Sequence, residues 1–217
     1  MRLVFATHNE HKVTEVAAKL ATYPATTISE VISIDSLASI GCYEDIPETQ
    51  DTIVGNAIQK ATHVGVQYKV SCFAEDTGLE VDALGGAPGV YTARYAGEAR
   101  DAAANMAKVL TGLQAYPLPA QRQARFRTVI ALYLYPHEAS SAAPIIHTFE
   151  GIVEGSIAFT PTGNGGFGYD PIFIPTLEDE TNERTFAELP LSIKNSISHR
   201  SRAVEKLLAF LSSATLA

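Results

Sequence analysis

Apolar residues change their spacing along this chain in an ordered way, and the changes predict the elements. Leu3, Val4, Phe5 and Ala6 form a short unbroken apolar run, which predicts a buried strand ending at Thr7. Val13, Val16, Ala17 and Leu20 then recur at helical spacing. A second strand is predicted over 26–34, where Ile28, Val31, Ile32 and Ile34 cluster. Residues 41–50 are polar and acidic and read as loop. Helical spacing returns after Asp51, with Ile53, Val54, Ala57, Ile58, Ala61 and Val64 in phase. A buried-type strand over 70–74 would deliver Glu75 and Asp76 at its end. A third helix is predicted over 98–110, ended near Gly112.

After a Pro-containing connection over 116–123 the pattern turns β-rich, at 126–135 and 145–153, with 136–144 as a hairpin-like loop. Residues 160–168 are rich in glycine and 171–175 predict a short strand. The last helix covers 198–211, with Ala203, Val204, Leu207, Leu208 and Leu211 inward. Two βα alternations, a further helix, a β-rich half and a final helix indicate a mixed α/β fold that is not fully alternating. No repeat or low-complexity linker interrupts the chain, so 1–217 is expected to form one domain.

The chain has 217 residues, 46% of them hydrophobic, enough for one substantial core split into two lobes. Its formal net charge of −8 argues against a nucleic-acid surface, which is usually basic. A polyanionic ligand would need locally concentrated cations or a metal. Cys42 and Cys72 belong to no CxxC pair or zinc-type cluster, which suits a reducing compartment. The N-terminal apolar run is too short for a secretory signal, and no stretch approaches the roughly 18 apolar residues of a membrane span. The expectation is a cytoplasmic protein with no membrane partner.

Cations are unfavourable in the first turn of a helix, where the macrodipole is positive. Two helices break that expectation. One opens Asn9-Glu10-His11-Lys12, the other Ser198-His199-Arg200-Ser201-Arg202, with Lys194 just upstream. A helix N-terminus already offers N–H groups to an anion, so added cations suggest binding of a phosphorylated small molecule. The hydroxyl of Thr7, the amide of Asn9 and the ammonium of Lys12 suit the oxygens of a phosphate chain, although no Walker A loop is present. Glu44, Asp45, Glu48 and Asp51, with Glu75 and Asp76, offer hard oxygen ligands, and phosphate-bound magnesium needs only one or two carboxylates. Phosphate-binding groups beside carboxylates point to metal-assisted phosphoryl or nucleotidyl chemistry. In the segment 163–170, Phe167 and Tyr169 between glycines offer stacking surfaces, with Asp170 following.

Six blocks resemble the inosine/xanthosine triphosphate pyrophosphatases, which act on non-canonical purine nucleotides. They are ATHNEHK at the N-terminus, PETQDTIVGNAIQKA at 47–61, AEDTGLEVDALGGAPGVYTARYAG at 74–97, GFGYDPIF at 166–173, TFAELPLSIKN at 185–195 and SHRSRA at 198–203. They fall in family order and span nearly the whole chain. The resemblance implies an elongated two-lobed α/β fold around a long mixed sheet, with helices on both sides, the substrate in the cleft between lobes, and a homodimer. It implies magnesium-dependent hydrolysis of ITP, dITP and XTP between the α and β phosphates, giving the monophosphate and pyrophosphate.

Matched by position, Thr7, His8, Asn9, Glu10, His11 and Lys12 resemble the phosphate-binding loop. Glu48 and Asp76 resemble the metal ligands, Asp76 also the general base, and Lys60 a basic group reaching the phosphates. Thr77, Phe167, Gly168, Tyr169, Asp170, Lys194, His199 and Arg200 resemble the positions that hold the nucleotide. Lys194, His199 or Arg200 would donate to the C6 carbonyl of hypoxanthine or xanthine and would go unpaired against the amino group of adenine. Glu75 receives no role, and the glycines of 85–89 are left to shape the cleft around Arg94. Gly55 and Thr162 depart from the family pattern. Two alternatives remain open: a pyrophosphatase for another modified nucleotide, such as a pyrimidine, and a non-catalytic nucleotide-binding module.

Overall fold

The computed structural model describes residues 2–23, 33–136, 143–177 and 183–215. Strand β1 (Arg2–Phe5) leads to helix α1 (Glu10–Thr22), then to β2 (Ser33–Ser36) and α2 (Ile53–Tyr68). Strand β3 (Cys72–Val81) follows, then α3 (Ala102–Gly112), β4 (Gln123–Leu134), β5 (Ile145–Ile157) and β6 (Phe173–Pro175). The chain closes with α4 (Leu191–Ile197) and α5 (His199–Thr215). The six strands form one sheet in the order β2-β1-β3-β4-β5-β6. It is mixed: β1 runs parallel to β2 and β3, and β5 antiparallel to β6.

The α/β class and the order of the main elements agree with the sequence pattern, and several boundaries move. Strand β3 does not stop at residue 74 but continues through both acids to Val81, because Leu79 and Val81 are fully buried and extend the apolar set past the charges. Helix α3 begins at Ala102 rather than 98, where Asp101 supplies the cap by accepting the Ala104 N–H at 2.7 Å. Helix α4 was not foreseen; Lys194, expected just upstream of the last helix, sits on it. Of the strand expected at 26–34, residues 26–32 lie outside the described residues, and the observed strand is Ser33–Ser36. Most of the expected hairpin loop also lies outside them.

The chain divides into two compact units that interleave in sequence. The first comprises residues 1–76, 128–151 and 200–217. Its core joins Leu3 and Phe5 of β1, Val16 of α1, Phe73 of β3 and Ile130 and Leu132 of β4 to Ala203, Val204, Leu207, Leu208 and Leu211 of α5, the face expected to be inward. On the other face of β3 and β4, the Cys72 thiol donates to the Ala61 carbonyl of α2 at 3.1 Å, and Gly65 of α2 lies against the Tyr133 ring. The second unit comprises residues 77–127 and 152–199. Its core packs Val109 and Leu113 of α3 with Leu79, Val81, Phe126, Val153, Phe173 and Phe186. Buried Arg122 donates to the carbonyls of Leu113, Ile157 and Ala158 and so ties the end of α3 to the end of β5.

Candidate active site

Successive side chains of a strand point to opposite faces of its sheet. Because β3 runs straight through residues 75 and 76, its two adjacent acids are sent to different helices. Asp76 meets α2. Lys60 Nζ lies 3.2 Å from Asp76 Oδ1 and also contacts Glu48 Oε1, so two carboxylates converge on one ammonium. Asn56, one turn before Lys60, donates from Nδ2 to Asp76 Oδ2 at 3.3 Å. Burial pushes the Asp76 carboxyl up, with Glu48 reinforcing the shift and Lys60 and Lys12 opposing it.

Glu75 takes the other face, toward α1 and α5. Arg200 Nε donates to both of its oxygens at 2.9 and 2.8 Å, and Lys12 Nζ lies 3.2 Å from Oε1. The Arg200 guanidinium also contacts Glu15 of α1. Burial alone would raise the Glu75 carboxyl, but Arg200 and then Lys12 more than cancel it and hold it down at about 2. Burial pulls the Lys12 ammonium down, and the neighbouring Lys60 and Arg200 add to that pull. Glu75, given no role from sequence, is thus the anion around which two expected ligand-binding cations are arranged. Arg200, expected to hold the nucleotide and its base, pairs with two carboxylates, Glu75 and Glu15.

The loop after β1 runs beside these groups. Phe5 pairs with Phe73, and the Ala6 N–H donates to the Phe73 carbonyl at 2.8 Å, so the chain leaves β1 alongside the residues that precede Glu75. In an open α/β sheet the crevice outside the carboxyl ends of strands that diverge to opposite sides is the usual ligand position, and β1 and β3 make that arrangement here. The Asn9 side chain accepts the N–H groups of His11 and Lys12 and caps α1, a structural duty that the phosphate reading had not included. Thr7 Oγ1 accepts the Asn9 N–H at 3.1 Å, and the His8 ring nitrogen is 3.1 Å from the Glu44 carbonyl oxygen. Glu10 and His11 are exposed on the first turn.

The second unit gathers the remaining expected residues. Lys194 Nζ, on α4, lies 2.7 Å from Asp170 Oδ2 and 4.8 Å from the centre of the Phe167 ring. Asp170 Oδ2 also accepts the Phe167 N–H at 2.7 Å. Gly166 makes this turn possible: its φ is +72°, and a side chain there would collide with the Asp170 carboxylate. Gly168 follows, also at positive φ, 61°. Tyr169 is a core residue rather than an exposed stacking surface; it is 4% exposed and its hydroxyl donates to the Thr92 carbonyl at 2.8 Å. His199 is buried and stacks on Phe126 with ring centres 4.8 Å apart. Thr77 is half-buried on β3. The Arg94 guanidinium lies over the Tyr91 ring at 5.3 Å. Thr162 Oγ1 donates to Glu188 at 3.0 Å.

Gly55 also has a physical reason. The loop carrying Glu48 folds back over the start of α2, and a Cβ at Gly55 would lie 2.8 Å from the Gln50 Cβ and 2.9 Å from Thr52 Oγ1. Thr52 Oγ1 accepts the Gly55 N–H at 2.9 Å and caps the helix.

A doubly wound set of parallel strands, with cations and a buried carboxylate just past the carboxyl end of β1, defines an α/β protein suited to polyanionic ligands. The particular family follows from comparison. A model of the Ham1 family matches residues 3–210, and the chain belongs to that family. It is 49% identical over 211 residues to a dITP/XTP pyrophosphatase of Flavobacterium johnsoniae, covering 97% of this chain and 98% of that one. It is equally 49% identical over 210 residues to a dITP/XTP pyrophosphatase of Porphyromonas gingivalis, covering 97% of each. Among solved structures it is similar to the Staphylococcus aureus Ham1 protein, with a TM-score of 0.81 and 33% identity over 99% of this chain and all of that one. No helix among the described residues is long and apolar enough to cross a membrane.

Proposed function

We infer that this chain hydrolyses deaminated purine nucleoside triphosphates, ITP, dITP and XTP, to the monophosphate and pyrophosphate. The observation that carries the reading is Asp76. It is a buried carboxyl whose proton affinity is raised, set against Lys60 and Glu48, in a chain that matches dITP/XTP pyrophosphatases over nearly its full length. A module that only binds nucleotide has no use for a carboxylate whose basicity is raised by burial.

Family enzymes of this kind are metal-dependent, and the residues here fit magnesium. Glu48 and Asp76 are hard oxygen donors that already converge on one cationic group. Phosphate-bound magnesium takes one or two carboxylates and completes its shell with phosphate oxygens, and these two acids supply that number. Bound there, the ion would neutralise phosphate charge and acidify a water.

The chain's own residues do the rest. Asp76 accepts the proton of the water that attacks the α-phosphorus. An ordinary aspartate, with a pKa of about 3.9, is a weak base, and burial strengthens it. Lys12 and Lys60 donate to oxygens of the departing pyrophosphate. Thr7, His8, Asn9, Glu10 and His11 form the turn that brings backbone N–H groups to the phosphates. In the second unit, Lys194 and Phe167 receive the base, with Gly168, Tyr169, Asp170, Thr77 and His199 shaping that position, and Arg200 acts through Glu75. An ammonium donates and does not accept, so Lys194 suits a C6 carbonyl and leaves the amino group of adenine without an acceptor. The two units work as one catalytic domain, and the active species is a homodimer in the cytoplasm that uses no nucleic acid.

The test is a substrate panel. Purified protein with magnesium is given ITP, XTP, GTP, ATP and UTP, with pyrophosphate and phosphate assayed separately. Pyrophosphate release with a strong preference for ITP and XTP is expected. Release of phosphate, or equal kcat/KM for ITP and ATP, overturns the reading.

A further inference from the structure

We propose that Asn56 is a positioning residue that fixes the orientation of Asp76 and the backbone beside Glu48 in one register; this rests on the catalytic reading of Asp76 above. Asn56 is 2% exposed and makes two hydrogen bonds of opposite sense. Its Oδ1 accepts the Gln50 N–H at 2.9 Å, and its Nδ2 donates to Asp76 Oδ2 at 3.3 Å. The amide can sit only one way round. A backbone N–H is purely a donor and an ionised carboxylate purely an acceptor, so the oxygen end must face Gln50 and the nitrogen end Asp76.

The two oxygens of Asp76 therefore have different keepers. Oδ2 is held by the neutral amide of Asn56 and Oδ1 by the ammonium of Lys60. Residues 56 and 60 are one helical turn apart, so a single stripe of α2 grips both ends of the carboxylate. Gln59 belongs to the same stripe. Its Oε1 accepts the Thr49 N–H at 2.9 Å and its Nε2 donates to Thr49 Oγ1 at 2.8 Å. Three side chains of α2 thus hold Thr49, Gln50 and Asp76, with Glu48 next in the chain. The Glu48 loop has no regular structure of its own, so α2 sets its distance from Asp76. A loose carboxylate would still fold but would present the wrong lone pair to water, and such misplacements cost on the order of 10–100-fold in rate.

The experiment is a double-mutant cycle with ITP, using Asn56→Ala, Asp76→Asn and the pair. If Asn56 acts through Asp76, Asn56→Ala lowers kcat about 10- to 100-fold with KM changed less than about threefold, and costs less than about threefold once Asp76 is already asparagine. A purely structural role gives the same factor in both backgrounds and overturns the proposal, as does parent-like kcat for Asn56→Ala. Should Asn56→Ala fail to fold, Asn56→Leu fills nearly the same space and removes the donor to Asp76 without adding a charge. It is expected to melt closer to the parent than Asn56→Ala while losing kcat, and parent-like kcat refutes the proposal. Parent-like turnover of Asp76→Asn alone brings down the catalytic reading itself, whereas an impaired Asp76→Asn beside fully active Asn56 variants brings down only this proposal.

Discussion

Replacing Glu75 by glutamine keeps the shape of the side chain and removes one buried charge. The side chain is wholly buried, with Arg200 on both oxygens and Lys12 at 3.2 Å. After the change, Lys12 and Arg200 face each other across a neutral amide, with Glu15 still against the guanidinium. Its magnitude follows by two routes. The carboxyl sits at about 2 against an ordinary 4.5, and that gap corresponds to about 3–4 kcal/mol at about 1.36 kcal/mol per pH unit. Breaking a buried ion pair by removing one partner independently costs about 3–5 kcal/mol. At about 2–4 °C per kcal/mol for a chain of this size, Glu75→Gln is expected to lower Tm by about 7–14 °C at pH 7. The sign of the pH dependence is fixed by the depressed carboxyl. Its stabilisation is complete above the unfolded value of 4.5 and is lost as pH falls toward about 2. The Tm difference between parent and variant should therefore be flat above about pH 5.5 and shrink steadily below 4.5. Differential scanning calorimetry in chelator without nucleotide reads this directly. A variant within 2 °C of the parent at pH 7, or a Tm gap as wide at pH 3 as at pH 7, refutes the argument.

Asp76→Asn should lose about 10²- to 10⁴-fold in kcat for ITP with its melting curve retained, as expected for removal of a positioned base; near-full turnover in a pyrophosphate-release assay contradicts the role. Lys194→Met removes a donor of the kind worth about 1.5–3 kcal/mol when charged and buried, so the ITP/ATP ratio of kcat/KM should fall about 10- to 150-fold, mostly through ITP. Gly65→Ala should destabilise by up to about 2 kcal/mol in thermal melts, because overpacking against the buried Tyr133 ring costs about 1–3 kcal/mol and the better helix propensity returns only about 0.8–1.0.

The fold was legible where one period governed a segment. The inward face of α5 was read residue by residue, since Ala203, Val204, Leu207, Leu208 and Leu211 carry a clean helical stripe and all enter the core. The same holds for the start of β1, while on α2 Ile53, Ala57, Ala61 and Val64 are buried and Val54 and Ile58 are half-buried. Elements without a stripe were read in part or not at all. Strand β2, Ser-Ile-Asp-Ser, overlaps the expected strand at 33–34 and runs on to Ser36 with one apolar residue, where β1 offers it a parallel edge. Helix α4 has seven residues, too few to show a period. The late start of α3 was readable in principle, since Asp101 followed by three alanines is a capping signal, but the acids and small residues of 97–101 blurred it.

The site was legible as a set of residues and not as a set of partnerships. Lys60, Glu48 and Asp76 were singled out and the structure brings them together. Who holds whom depends on separations that composition cannot show: Arg200 lies 125 residues from Glu75 and 185 from Glu15. One relation was within reach. Apolar residues on both sides of the Glu75-Asp76 pair make 72–81 one strand, and a strand sends neighbouring side chains to opposite faces. That step alone separates the two acids into an ion-paired anchor toward α1 and α5 and a carboxylate toward α2. Read as the end of a strand, the pair looked like one acidic turn with a spare member. Glu75 is not spare. Asp76 can be a base only if the cations beside it are already balanced; Glu75 balances Lys12 and Arg200, while Lys60 and Asn56 hold the Asp76 carboxylate.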